Sequence, residues 1–477
     1  MNSIVDNPQT SDLKPQTSDL RPQTSTICAL ATAPGGAIGI IRVSGPQTFE
    51  ILSHVFTKDL SQVAPNTIHY GYVVESDAAH HQIPIDEVLV SVFHAPHSYT
   101  GEDSVEISCH GSRYILNKVL ELLVKNGCRM AKPGEYTMRA YLNGKMDLSQ
   151  AEAVADLISS TNRATHQMAM SQLRGRISSE LSQLRDQLLK LTSLIELELD
   201  FSDHEDLEFA DRTELLQLTQ HISQHIDKLT LSFITGRAIK YGVPVAIVGK
   251  TNVGKSTLLN RLLKDERAIV SDIHGTTRDT IEDSIDINGV NFRFIDTAGI
   301  RQTTDTIEKI GIERTFQTIE KAQIVLWLID ETPSATEIQE MADRCKNKRL
   351  IVVQNKIDKS ENEKNINISP LDSLVIRISA KKGDGIDYLE SAIYQAADIP
   401  ELNENDVIVT NARHYEALCR AQESLAHVTE GLQLQLSGDL LAEDLRQVLE
   451  ILAEITGGEI TPNEVLGNIF KHFCVGK

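Results

Sequence analysis

Six cysteines occur in 477 residues, with no Cys-x-x-Cys pair among them. Scattered at Cys28, Cys109, Cys128, Cys345, Cys419 and Cys474, they exclude a disulfide-stapled scaffold and a zinc ribbon. They are expected as free thiols of a reducing, cytoplasmic protein. Positive charge is also scarce: 46 Lys and Arg face 67 Asp and Glu, a net charge of −21. So acidic a chain does not coat itself to wrap nucleic acid, and any polyanion must be met by a local patch or by a partner. Long apolar runs are missing too. A membrane helix needs roughly 20 apolar residues, and the longest runs here, 243–248 and 324–329, have the length of buried strands. No membrane association is expected. What is present is 41% apolar residues, enough to build cores; at roughly 150 residues per domain the length suggests about three folded units.

Residues 1–25 repeat a polar heptapeptide from Pro8 and again from Pro15, and read as a disordered tail without the apolar segment of a secretory signal. Residues 26–143 carry short alternating stretches between Gly and Pro clusters, with helical spacing at Ile115, Val119, Leu122 and Leu123, and predict an N-terminal α+β domain. In 144–241 the period changes. Ile177, Leu181, Leu184, Leu188, Leu191 and Ile195 step by 4, 3, 4, 3 and 4, one apolar stripe along a long helix. The stepping returns in 401–477 at Leu441, Leu445, Val448, Leu452 and Ile455. Between them, 242–400 alternates strand and helix signals, the mark of a parallel sheet with crossover helices. The predicted fold class is therefore multidomain α/β plus all-α: an α+β N-terminal domain, then a helical domain interrupted by an inserted Ras-like P-loop domain. The acidic segment 196–214 lacks calcium-loop spacing and is expected as a solvated connection between helices.

The strand 243–248 runs into Gly249-Lys250-Thr251-Asn252-Val253-Gly254-Lys255-Ser256, then Thr257 and the helically spaced Leu258, Leu259 and Leu262. This is a P-loop in its required context. Its glycines let the backbone close on phosphate, Lys255 reaches the β- and γ-phosphates, and the Ser256 hydroxyl suits Mg²⁺. Asp296-Thr297-Ala298-Gly299 follows, with Asp296 placed for the Mg²⁺ shell and the Gly299 N–H for the γ-phosphate. Asn355-Lys356-Ile357-Asp358 ends another strand. Its Asp358 carboxylate can accept the paired N1–H and N2–H₂ of guanine, which adenine does not offer. Ser379-Ala380-Lys381 fits a loop meeting guanine O6. The ordered set predicts GTP as substrate. The residue after Gly299 is Ile300, which cannot orient water as the Gln of Ras-like proteins does. Either hydrolysis is slow or the missing charge and polar group come from elsewhere.

Asn252 in the P-loop, the run Ser271-Asp272-Ile273-His274-Gly275-Thr276-Thr277-Arg278-Asp279, the Asp296 to Ile300 element, Ile310-Gly311-Ile312-Glu313-Arg314 and the final Phe473-Cys474-Val475-Gly476-Lys477 resemble the MnmE (TrmE) family of tRNA modification GTPases. The resemblance extends from about Thr26 to Lys477. It implies a K⁺ ion held by Asn252, Ser271, Ile273 and Thr276 where other GTPases place an arginine, with Mg²⁺ at Ser256 and Thr277. It also implies Glu308 as the residue orienting water, Lys255 as the phosphate lysine, and Cys474 as a thiol needed for modification but not for hydrolysis. Arg42, Glu106, Lys145 and Lys477 resemble positions that bind a reduced one-carbon tetrahydrofolate, chemically sensible partners for a pterin amide and a glutamate tail. The implied assembly is a homodimer joined by a flavin-dependent partner of the MnmG (GidA) type in a heterotetramer or larger complex. The implied activity is a potassium-stimulated GTPase that forms the carboxymethylaminomethyl or aminomethyl group at C5 of the wobble uridine of certain tRNAs. Arg163, Arg174, Arg176 and Arg185 are candidates for a local tRNA patch. The competing expectation is a GTP-controlled switch for assembling a ribosome or another RNA complex, without modification chemistry.

Overall fold

Alternation of apolar and polar residues builds the first sheet of the computed structural model, which describes residues 25–76, 81–200, 212–265, 283–295, 317–359, 368, 373–399, 407–458, 466, 469–471, 473 and 476, the side chains of 197–200 and 264–265 excepted. The chain forms two compact units, one of residues 1–155 with 452–477 and one of residues 156–451.

In the first unit the order is β1 (Ile27–Leu30), β2 (Ile38–Ser44), α1 (Thr48–Val55), β3 (Thr67–Ser76), β4 (Gln82–Phe93), β5 (Ser104–His110), α2 (Arg113–Lys125), β6 (Arg129–Met130) and α3 (Glu135–Leu142). The sheet order is β3-β4-β5-β2-β1-β6, antiparallel apart from the β1–β6 pair. Because successive side chains alternate faces, Ile41, Val43, Val88, Val90, Val92, Val105 and Ile107 all point to one side, where they pack with α1 and α2. Burying each contributes roughly 1.5–3 kcal/mol. The other face keeps Arg42, Glu106 and their row neighbours. β4 is longer than its sequence pattern suggests, starting at Gln82 rather than near Glu87. Pro84 hides its first half, and the register shift opposite, between Val73 and Val74, is what accommodates the missing N–H. Leu148 and Ala151 of α4 (Leu148–Ser159) form a small core with Leu466 and Phe470. The expected helix start at Thr461, Pro462 and Glu464 lies outside the described residues.

The second unit begins with α5 (Arg163–Leu173), α6 (Arg176–Asp200) and α7 (Arg212–Tyr241). The six-residue stripe on α6 is buried throughout. After the second sheet come α11 (Ala412–Gln433) and α12 (Gly438–Thr456), and the flanking helices pack on one another. Phe233 stacks on Tyr415 at 4.3 Å, Gln422 donates to Asp227, and the Gln172 amide donates to Thr410 at 2.9 Å. The acidic stretch is not all connection, because α6 continues to Asp200 and Glu196 accepts from Arg446 at 3.1 Å. Ile195 is still in phase with the buried stripe, so the helix continues past it.

Between these helices lie β7 (Val243–Gly249), α8 (Lys255–Asp265), β8 (Asp283–Ile287), β9 (Val290–Phe294), β10 (Ile324–Ile329), α9 (Ala335–Arg344), β11 (Arg349–Gln354), β12 (Leu374–Arg377) and α10 (Ile386–Ala396). Their sheet order is β12-β11-β10-β7-β9-β8, parallel except for the β8–β9 hairpin. Successive parallel strands leave β7 on opposite sides, so the crevice at its carboxyl end is a topological switch point, where open α/β sheets bind ligands. No helix among the described residues is long and apolar enough to cross a membrane.

Candidate functional site

The P-loop leaves β7 through Gly249, whose φ is +150° and where a Cβ would lie 2.3 Å from the Leu328 carbonyl oxygen. Only glycine fits. Asn252 takes the left-handed conformation at φ +63°, which asparagine tolerates better than most residues. Val253 is buried, and Ser256 and Thr257 open the first turn of α8. The Lys255 ammonium donates to the carbonyls of Gly249 at 2.6 Å and Lys250 at 2.8 Å, so it lies inside the curl of the loop. Burial holds its pKa below the ordinary lysine value.

Two further loops meet this one at the same edge of the sheet. Asn355, 3% exposed, donates through Nδ2 to Val253 O at 2.8 Å and accepts from the Ala380 N–H at 3.0 Å. One side chain therefore fixes the P-loop, the 355–358 loop and the 379–381 loop relative to each other. Gly254 has to be glycine for the same reason, since a Cβ there would lie 2.3 Å from Asn355 Nδ2. The Ser379 hydroxyl donates to Asp358 at 2.8 Å and, with lesser help from backbone and lysines, holds that carboxyl below the usual aspartate range. Lys356, at φ +65°, reaches Asp330 at 2.6 Å. The Lys381 carbonyl accepts from Arg261 at 3.4 Å. Lys250 pairs with Glu337 at 2.8 Å, tying the P-loop to the capped start of α9, a contact that no local pattern announces. Ser271, Asp272, Ile273, His274, Gly275, Thr276, Thr277, Asp296, Thr297, Ala298, Gly299, Glu308, Cys474 and Lys477 lie outside the described residues.

In the first unit, Arg42 Nε and Nη2 both donate to Glu106 Oε1, at 2.9 and 2.6 Å, across directly paired positions of β2 and β5. The guanidinium lies 5.4 Å from the Tyr99 ring centroid and 5.6 Å from that of Tyr136. Tyr136 also donates its hydroxyl to Arg42 O at 2.8 Å, and Arg42 Nη1 donates to Gly476 O at 3.2 Å. Lys145 does not touch the pair. Its ammonium donates to Pro96 O at 3.0 Å, on the loop that carries Tyr99. Behind Tyr136 a buried network supports the loop and α3: Arg139 donates to Glu102 at 3.0 Å and to Glu135 at 3.0 Å, and Arg129 to Glu135 at 2.5 Å. Neither tyrosine nor this network was singled out from the sequence.

Residues 148–474 match the family model described as the MnmE helical domain, and residues 26–145 the model described as the GTP-binding protein TrmE N-terminus. The chain is 55% identical to the tRNA modification GTPase MnmE of Phocaeicola vulgatus, over 95% of this chain and 99% of that protein. Identity to the proteins of the same name is 55% in Bacteroides thetaiotaomicron, over 95% and 99%, and 51% in Porphyromonas gingivalis, over 95% and 98%. The chain belongs to the MnmE/TrmE family. Among solved structures, the G domain of the T. maritima FeoB iron transporter aligns with 32% of this chain and 98% of its own at 21% identity, with a TM-score of 0.24, too low to bear on function.

Of the cation ligands expected from the family, Asn252 and Ser256 are described. Their amide and hydroxyl oxygens are hard donors on the rim of a loop that already gathers carbonyl oxygens around an ammonium, which suits K⁺ and Mg²⁺.

Proposed function

We propose that this chain is a potassium-stimulated GTP hydrolase that, with a flavin-dependent MnmG-type partner, forms an aminomethyl-type group at C5 of the wobble uridine of certain tRNAs in the cytoplasm. The observation that carries the GTP reading is the joint built by Asn355, which locks the phosphate-binding turn to the loop beside Asp358. Asp358 then presents its carboxylate for two guanine donors, with Ser379 fixing its orientation.

Lys255 is placed to shift from the loop carbonyls to the β- and γ-phosphates, replacing two neutral acceptors with anionic ones. Mg²⁺ at Ser256 and Thr277, with K⁺ at Asn252, Ser271, Ile273 and Thr276, would supply positive charge against the γ-phosphate when bound. Glu308 orients water, the task Ile300 cannot perform. Water attacks the γ-phosphorus and the bond to the β-phosphate oxygen breaks. The Arg42–Glu106 pair with its two tyrosines supports a reduced folate as one-carbon source, with Lys145 and Lys477 as further contacts and Cys474 as the modification thiol. A homodimer and its tRNA complete the assembly.

GTP turnover measured in K⁺ and in Na⁺, with and without Asn252→Ala, tests the mechanism: the wild-type kcat falls sharply in Na⁺, and the variant loses the difference between salts. Equal wild-type rates in both salts refute it. Nucleoside analysis of tRNA from cells carrying Cys474→Ser tests the pathway. An unaltered wobble uridine there would favour the assembly switch.

A further inference from the structure

β10 ends in an acid, Asp330, that no part of the nucleotide site has yet used. Leu328 of this strand pairs with Gly249 of β7 on one side, and Ile329 pairs with Gln354 of β11 on the other. Asp330 is the next residue. The Asn355 N–H donates to Ile329 O at 2.8 Å, which brings the start of the 355–358 loop beside it. Asp330 therefore stands at the carboxyl end of a central strand, where open α/β sheets bind ligands, with a lysine-bearing loop on each flank.

Each of those lysines is met by an acid of the segment from Asp330 to Glu337. Lys250, on the P-loop, pairs with Glu337; that bond raises its pKa first, and the charges of Glu331 and Asp330 add less. Lys356 gives its ammonium to Asp330 Oδ2 at 2.6 Å, with the two side chains only 27% and 28% exposed. With most of both groups out of water, salt screens the pair less than it would on an open surface. The backbone beneath Lys356 is left-handed at φ +65°, an unfavourable conformation for a residue with a Cβ, which persists where the surroundings over-determine it.

The ion pair fixes the course of the lysine stem. It starts at the end of β11 and finishes at the end of β10, so it spans one strand spacing, about 4.8 Å, between Asp358 and the P-loop. A nucleotide with its base at Asp358 and its phosphates at Lys255 crosses that same gap.

We propose that Asp330 is a positioning residue for GTP: by holding the Lys356 ammonium it lays the lysine methylenes as an apolar ledge along the purine and keeps that charge off the phosphates. This rests on the GTP reading above and adds a residue from outside the loops assigned to the nucleotide. Lysine is a point charge on a flexible stem. Untethered, the ammonium would follow the strong negative field of the triphosphate and draw the stem away from the base.

The test titrates the full chain with a fluorescent GDP analogue, as Asp330→Ala, as Lys356→Met and as the double variant. Methionine keeps a stem and has no charge to tether. Asp330→Ala should weaken binding about tenfold, the worth of roughly two methylenes lifted from the ring. The KM for GTP should rise alike while kcat stays within about twofold, the signature of lost ground-state binding. In the Lys356→Met background the same change should do nothing further, and Asp330→Glu should restore part of the affinity. If Asp330→Ala melts at a markedly lower temperature, Asp330→Asn, which keeps the shape and drops the charge, carries the same expectations. Unchanged affinity in the charge-removing variant, or an equal loss with and without the Lys356 ammonium, overturns the assignment while the GTP reading stands. An unaltered chain that binds guanine nucleotides no better than adenine ones overturns both.

Discussion

Asn355→Ala is the sharpest perturbation of the nucleotide site, because this one buried side chain, itself among the expected GTP-binding residues, ties three loops together. Two hydrogen bonds are lost, leaving Val253 O and the Ala380 N–H without a partner in surroundings that are almost fully buried. An orphaned buried polar group costs about 1–3 kcal/mol, so the pair sums to about 2–6 kcal/mol. Where that energy holds three loops in mutual register, binding must restore the register at the expense of affinity. At about 1.4 kcal/mol per factor of ten, the loss lies between about thirtyfold and about ten-thousandfold. Equilibrium titration with a fluorescent GDP analogue measures it, alongside a thermal melt to confirm folding. Asn355→Asp should fall between, since it can still accept from Ala380 but cannot donate to Val253. A folded Asn355→Ala chain that binds the analogue as tightly as the original would refute the argument that this joint aligns the site.

Glu135 provides an acid-sensitive element in the first unit. Burial would raise its pKa, but Arg129, the Lys132 N–H and Arg139 outweigh that and draw it from the ordinary 4.5 to about 2. A depressed carboxylate stabilises fully above its unfolded value and progressively less as pH falls toward its folded one, here about 3 kcal/mol lost between about pH 4.5 and 2. Glu135→Gln should flatten that loss in acid unfolding followed on the first unit; an unchanged acid profile would count against it. Leu188→Ala empties a fully buried site on α6 and should cost about 2–5 kcal/mol, seen as a lower melting temperature, whereas a shift worth under about 1 kcal/mol would mean the stripe is poorly packed. Tyr136→Phe deletes the bond to Arg42 O but keeps the ring. Folate affinity should fall only a fewfold, with Tyr136→Leu clearly worse, and equal effects would remove the role given to the ring.

The loops bearing residues 249–257, 355–358 and 379–381 were legible because each is a contiguous run at the end of a strand, and chemistry written in consecutive residues survives in a one-dimensional reading. The stripes on α6 and α12 were legible for the same reason, a single period sustained over several turns. The surroundings of Arg42 were not. Tyr99, Tyr136 and Gly476 come to it from separate segments, and no local pattern marks a tyrosine as the neighbour of an arginine in another strand. β1 and β6, of four and two residues, are too short to show a period. Pro84 concealed half of β4, and Ile195 kept α6 helical into a stretch whose charges suggested solvent.

Arg42 grips the carbonyl of a residue 434 positions downstream, and Leu148 and Ala151 share a core with Leu466 and Phe470. During synthesis the ribosome delivers the amino-terminal sheet long before these late residues emerge. That sheet must therefore persist with one flank bare while the whole nucleotide-binding insertion is translated. Nascent chains arrested ahead of Leu466 should expose this flank to proteases and chaperones, and the polypeptide becomes resistant only when its last segment arrives to close the seam.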